Sequence, residues 1–127
     1  MAACSDYDVL ATWSDNAGKP VAMRWGSNTW GYRKIVDKHN LTTAAARTTT
    51  KYPASKVAES ASSVVYTTPV HKYTCTVLGC KIVETRTLRA VVNPIRLADG
   101  SPKGVITTYC EGVTWCPDWV KGAVNAG

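Results

Sequence analysis

The chain has two histidines, His39 and His71. Imidazole is the side chain best suited to giving and taking protons near neutral pH. His39 sits in a stretch with helical spacing and His71 in a run rich in β-branched residues, so a helix and a strand could bring them together as an acid–base pair. Cations and hydroxyls are available to accompany them: Lys38 beside His39, Lys72 beside His71, then Arg86, Arg89, Thr107, Thr108 and Tyr109. Cleavage of an RNA phosphodiester needs this inventory. A base takes the 2′-hydroxyl proton, an acid protonates the leaving 5′-oxygen, and cations and hydroxyl donors stabilise the charge on the phosphorane-like transition state. These groups would suffice with no metal and no other cofactor. Trp25, Trp30, Trp115 and Trp119 offer surfaces on which bases could stack, although tryptophan in a small domain usually serves the core. No HExxH, Gly-rich phosphate loop or G-x-S-x-G elbow is present.

Each candidate also has a plainer structural reading. A histidine on an apolar helix face is commonly a partly buried structural residue. Arg86 and Arg89 with Glu84 fit a solvated sheet face, and Thr and Tyr are good strand formers whatever their chemistry.

The elements that must position these groups follow from periodicity. Residues 7–13 and 21–25 read as strands joined by turn chemistry at Asp15-Asn16-Ala17-Gly18-Lys19-Pro20. From Trp30 to Leu41 the spacing of Tyr32, Ile35, Val36 and His39 predicts a helix, with Asn28 or Thr29 as cap and Asn40 as stop. The Thr-, Ala- and Ser-rich stretch 42–63 reads as a loop with one short helix near 54–61. Strands follow at 64–68, at 70–77 as a second strand or a continuation of the first past Pro69, and at 81–92 and 105–110, with Asn93-Pro94 ending the 81–92 strand. On 81–92, Val83, Thr85, Thr87, Arg89 and Val91 alternate with Ile82, Glu84, Arg86, Leu88, Ala90 and Val92. Arg86 and Arg89 therefore point to opposite faces, as do Thr108 and Tyr109. The expected fold is α+β: an N-terminal hairpin and helix packed on a four- or five-stranded antiparallel sheet.

Composition sets the bounds. The 127 residues suit a single domain, and 45% hydrophobic against 19% charged residues is a globular balance. The net charge of +6 favours polyanionic partners through steering. No apolar run is long enough for a membrane-spanning helix, and Met1-Ala2-Ala3-Cys4 lacks the pattern of a signal peptide. Of five cysteines, Cys75 with Cys80 and Cys110 with Cys116 form close pairs, leaving Cys4. Two local disulfides are the favoured reading, with a zinc site of four thiolates or reduced buried cysteines as alternatives. Disulfides would imply function or maturation outside a reducing cytosol.

Two stretches together resemble a known group of domains. Trp30-Gly31-Tyr32-Arg33-Lys34-Ile35-Val36-Asp37-Lys38-His39 is similar to the "G-[YF]-R-H-I-x-x-x-H" helix that opens many bacterial polymorphic-toxin nuclease domains. Thr87-Leu88-Arg89-Ala90-Val91-Val92 with Gly104-Val105-Ile106-Thr107-Thr108-Tyr109 is similar to their closing "R-V-x-V … G-x-I-x-T-x-Y" hairpin. They belong to the barnase/EndoU/colicin/RelE-like group of metal-independent ribonucleases, and the match covers about a third of the chain. The resemblance implies an RNA substrate, delivery into a competitor cell and neutralisation by an immunity protein. It maps His39 onto the helix histidine, Arg89 onto the strand arginine, and Thr108 and Tyr109 onto the last-strand hydroxyls. Lys34 departs from the pattern, standing where many members have another histidine. That departure shifts the second acid–base role to His71 or Lys72.

The leading expectation is therefore a secreted or delivered ribonuclease domain. His39 would be general base and His71 general acid. Arg89 and Lys72 would bind phosphate, assisted by Arg86 and Lys38, and Thr108 and Tyr109 would orient it. The alternative is a non-catalytic secreted module that recognises polysaccharide or protein through exposed aromatics such as Trp25 or Trp115. A third reading is a toxin with another substrate, such as an NAD-consuming transferase.

Overall fold

The computed structural model describes residues 5–126, so Cys4 lies outside the described residues. Along the chain come β1 (Val9–Ser14), β2 (Pro20–Arg24), α1 (Gly31–His39), α2 (Thr43–Lys51), β3 (Ser55–Ser60), β4 (Ser63–Thr76), β5 (Gly79–Arg96), β6 (Pro102–Cys110) and α3 (Asp118–Ala126). β1 and β2 pair as a separate antiparallel hairpin, and β3-β4-β5-β6 form a four-stranded antiparallel meander. The fold is α+β, as the element order predicts.

Period-2 alternation gives the meander two unlike faces. Leu88, Ala90 and Val92 of β5, Val105, Thr108 and Cys110 of β6, and Tyr66 of β4 are buried. They pack with Val21 and Met23 of β2, Ile35 of α1, Ala45 and Ala46 of α2, and Val120 and Val124 of α3. The opposite side carries Val57, Thr67, Arg89, Val91 and Tyr109, which remain at least partly open to solvent. β2 approaches β6 so closely that a Cβ on Gly104 would lie 2.0 Å from the Ala22 carbonyl oxygen, and Gly104 has φ +92°. Glycine alone meets both conditions without strain.

The Thr/Ala stretch departs from expectation. Residues 43–51 form α2, and the segment expected to be helical near 54–61 is instead β3. Thr49 and Thr50 are absorbed into the helix because their hydroxyls donate to the carbonyls of Ala45 and Ala46, at 2.7 and 2.8 Å. Pro53 follows the end of α2 and forbids its continuation. Of the two readings of 70–77, the continuation of 64–68 past Pro69 is the one found, because Pro69 lies just beyond the last β3 partner, Thr67, where β4 has become an edge strand. β5 likewise continues past Asn93-Pro94, with an irregular register from Asn93 to Arg96. A bulge moves Ile82 opposite Tyr73, away from the alternation set by Glu84 and Arg86. Trp30, not Asn28 or Thr29, occupies the N-cap of α1, with no side-chain cap.

Two buried charges tie remote segments together. Arg24 is fully buried. It donates to both carboxylate oxygens of Asp99, at 2.7 and 2.9 Å, and to the carbonyls of Tyr7, Ser101 and Pro102. The hairpin is thereby clamped to the β5–β6 turn, and the Arg24 hydrogen bonds hold the Asp99 carboxyl at about 2. Asp15, also buried, accepts hydrogen bonds from Lys56 Nζ and Tyr66 Oη at 2.7 Å each and from the amides of Ala17 and Lys19. Burial pushes this carboxyl up, but those donors outweigh it and leave it at about 2.

Both local disulfides are present, Cys75–Cys80 across the β4–β5 turn and Cys110–Cys116 closing the loop after β6. The four sulfurs are therefore bonded at two separate places, not gathered around one zinc ion.

Candidate anion-binding pocket beside His39

α1 ends at His39 because Asn40 adopts the left-handed conformation, φ 55°, which asparagine tolerates better than most residues. The Asn40 side chain donates to the Cys116 carbonyl (2.8 Å) and to the Asp118 carboxylate (2.6 Å), while the Cys116 amide donates to the His39 carbonyl (3.2 Å). The helix end is thus sewn to the disulfide-closed loop 111–115 and to the start of α3. β6 runs beside α1 and delivers Tyr109, whose ring centroid lies 5.6 Å from that of His39.

Between these elements is a pocket of roughly 450 Å³ lined by Lys34, Lys38, His39, Tyr109, Gly112, Val113 and Thr114. The Thr114 carbonyl lies 2.9 Å from His39 Nδ1. A carbonyl only accepts, so Nδ1 carries the proton in this contact and Nε2 of the neutral ring keeps its lone pair. Nε2 is shielded and has no hydrogen-bond partner among the described residues. Lys34 and Lys38 are one turn apart on α1, a spacing at which like charges repel. Burial first, and then the Lys38 charge, push the Lys34 ammonium below the usual lysine value. Among the described residues no carboxylate lines the pocket. Two cations, an oriented imidazole and a phenol around one hollow suit a bound anion.

The structure gathers some of the expected site residues and separates others. His39, Lys38 and Tyr109 meet in the pocket. Arg89 is the cross-strand partner of Tyr109 and stands next to it. Its guanidinium lies between Glu59 and Glu111 at 3.9 Å from each, with Nε shielded and unpartnered. Thr108 points to the other face, paired with Ala90 and fully buried, so its hydroxyl cannot reach an anion held at His39. Thr107 shares the face of Tyr109. His71 pairs with Thr85 and makes a 2.9 Å hydrogen bond to its hydroxyl. Four residues along β4 separate it from Thr67, the partner of Arg89, a span of about 13 Å. The expected His39–His71 pair does not form. Lys72 pairs with Glu84, and Arg86 bonds the same carboxylate at 3.2 Å. Trp119 of α3 also donates to it at 3.1 Å, so Lys72 and Arg86 share the face of Glu84, away from the pocket, with Lys72 itself exposed.

Sequence reasoning treated Lys34 as a departure and overlooked the pocket wall, residues 112–114. The available signal was Cys110 directly after Tyr109, since a local disulfide there must fold the next residues back toward β6. The tryptophans are mostly engaged: Arg33 lies over Trp25, Lys103 lies 4.8 Å from the Trp30 ring centroid, and Trp119 bonds Glu84. Trp115 remains exposed. No family model, curated protein or solved structure matches this chain.

Proposed function

We propose that the pocket binds a phosphodiester of RNA and that His39 Nε2 removes the proton from the adjacent 2′-hydroxyl. The observation that carries this reading is the imidazole itself, its Nδ1–H spent on the Thr114 carbonyl and its shielded Nε2 left without a partner among the described residues, in a ring that lines the pocket with two lysines and a tyrosine. A base must be unprotonated and oriented at the atom that reacts, and this hydrogen bond supplies the tautomer and holds the ring. Lys38 and Lys34 would neutralise the non-bridging oxygens, and the Tyr109 hydroxyl would orient them. With His71 remote, Lys34 is the group suited to protonate the leaving 5′-oxygen, since its ammonium releases a proton more readily than an ordinary lysine. Arg89 would assist from the next position on the sheet once phosphate displaces its loose contacts to Glu59 and Glu111.

Two disulfides are compatible with a protein that acts outside a reducing compartment. Secretion or delivery into a competitor cell, and an acidic immunity partner covering the lysines, belong to this same proposal. The test is degradation of total RNA by the purified chain. His39→Ala should abolish it while leaving the unfolding midpoint within about 1 kcal/mol of wild type, the effect usual for a half-exposed site. Undiminished degradation by that variant would remove His39 from the mechanism. Absence of degradation by the wild-type chain would remove the ribonuclease reading.

A further inference from the structure

β4 and β5 continue together beyond the last β3 partner, Thr67, and the last β6 partner, Leu88. From Thr68 to Thr76 this two-stranded ribbon runs about 27 Å beyond its strand neighbours; Val70 and Glu84 near its base meet the core and Trp119 of α3, and the outer part, residues 73–83, is exposed. Its end is closed by the Cys75–Cys80 disulfide, and the turn beyond it presents Val77 and Leu78 at 103% and 96% exposure. Tyr73, Ile82 and Val83 on the same ribbon are also about half exposed. Five of the twelve exposed large apolar side chains among the described residues therefore lie on this one projection. Scattered exposed apolar residues need no explanation, but a cross-linked tip with two bare aliphatic side chains does.

The charges say what would cover it. From residue 70 to residue 83 there is no acidic side chain; Lys81 is exposed near the tip opposite Thr74, and Lys72, exposed nearer the base, faces Glu84 across the ladder. Tyr73 pairs with Ile82 and Cys75 with Cys80, making an apolar side. Thr74 pairs with Lys81 and Lys72 with Glu84, making the polar side. This is the pattern of an interfacial element, in which aliphatic and tyrosine groups enter the acyl boundary and lysines reach back to anionic headgroups. Only the turn needs to go deep, so the unpaired strand edges can stay at headgroup level, where water and phosphate satisfy them.

We propose that the tip of this ribbon inserts into the surface of an anionic membrane, with Val77 and Leu78 as the buried anchor and Lys72 and Lys81 as the headgroup contacts. The proposal stands apart from the pocket and needs no RNA chemistry. It is tested by co-sedimenting the full chain with vesicles of phosphatidylcholine and phosphatidylserine in equal parts, and with vesicles of phosphatidylcholine alone. Wild type should bind the acidic vesicles at least about tenfold more tightly than the neutral ones. Val77→Ser with Leu78→Ser should weaken binding to the acidic vesicles by at least about tenfold. Lys72→Gln with Lys81→Gln should remove most of the preference for the acidic ones. All four positions are exposed, so loss of folding does not confuse the result, and circular dichroism checks it. Failure of wild type to bind the acidic vesicles, or equal binding by the serine variant, overturns the proposal. So does a wild-type dimer in sedimentation that the serine variant turns into a monomer, because the tip would then be covered by a second copy of the chain.

Discussion

Replacing Asp15 by Asn should destabilise the domain in a pH-dependent way that the structure specifies. The carboxylate is buried and accepts from Lys56 Nζ, Tyr66 Oη and two backbone amides, so the folded state favours its charged form. The fall from 3.8 to about 2 corresponds to about 2 kcal/mol of stability. Because the folded value lies below the unfolded one, this contribution is complete above the unfolded value. It is eroded as pH falls below 3.8 and has gone once pH passes below about 2. Asn can still accept from the Ala17 and Lys19 amides, but its NH₂ group cannot accept from Lys56, which swings to solvent. Urea unfolding followed by circular dichroism at pH 7 should show the variant about 2 kcal/mol less stable, equivalent to about 6–10 °C in Tm. The gap should narrow steadily between pH 4 and pH 2, a window set by the two values above. An unchanged midpoint at pH 7, or a gap that persists undiminished at the acid end, would refute the reasoning.

Other consequences follow from single contacts. Gly104→Ala should cost at least about 3 kcal/mol, because the new methyl meets the Ala22 carbonyl and φ is positive, both of which must be relieved; a urea midpoint near wild type would contradict this crossing of β2 over β6. Lys38→Gln should raise the pKa of Lys34 toward the ordinary lysine value, since one of the two causes of its depression is removed; NMR titration of the Lys34 ammonium reads this directly. Cys110→Ser with Cys116→Ser should release the pocket wall. Hydrogen exchange of the 111–115 amides should then rise while that of the β4–β5 ladder stays slow.

What the sequence made legible was local. α1 was readable because Tyr32, Ile35, Val36 and His39 repeat at helical spacing and Asn40 is a residue that tolerates the left-handed stop. The opposite facing of Thr108 and Tyr109, and of Arg86 and Arg89, followed from the two-residue period of a strand. The same rule lets only one member of each pair share a given face, so the expectation that both hydroxyls and both arginines serve one phosphate runs against it, and the rule does not say which member meets His39. That choice depends on which sheet face the helices cover, and their contacts with the strands are distant in sequence. The separation of His71 depends on ladder register, since Thr67 and not His71 lies opposite Arg89. Composition could not distinguish α2 from loop, because its threonines satisfy their hydroxyls only once the helix exists. Arg24 and Asp15 were invisible as buried charges because their partners, Asp99 and Lys56, are 75 and 41 residues away.

The most direct test of the central proposal is the fate of one labelled single-stranded RNA beside the same strand with every 2′-hydroxyl methylated. A base at His39 Nε2 acting on a 2′-hydroxyl predicts fragments ending in 2′,3′-cyclic phosphate from the first and an intact second. It also predicts a rate at least about a hundredfold lower for His39→Ala. Equal cutting of both strands, or cyclic-phosphate products formed at the wild-type rate by the alanine variant, would contradict it.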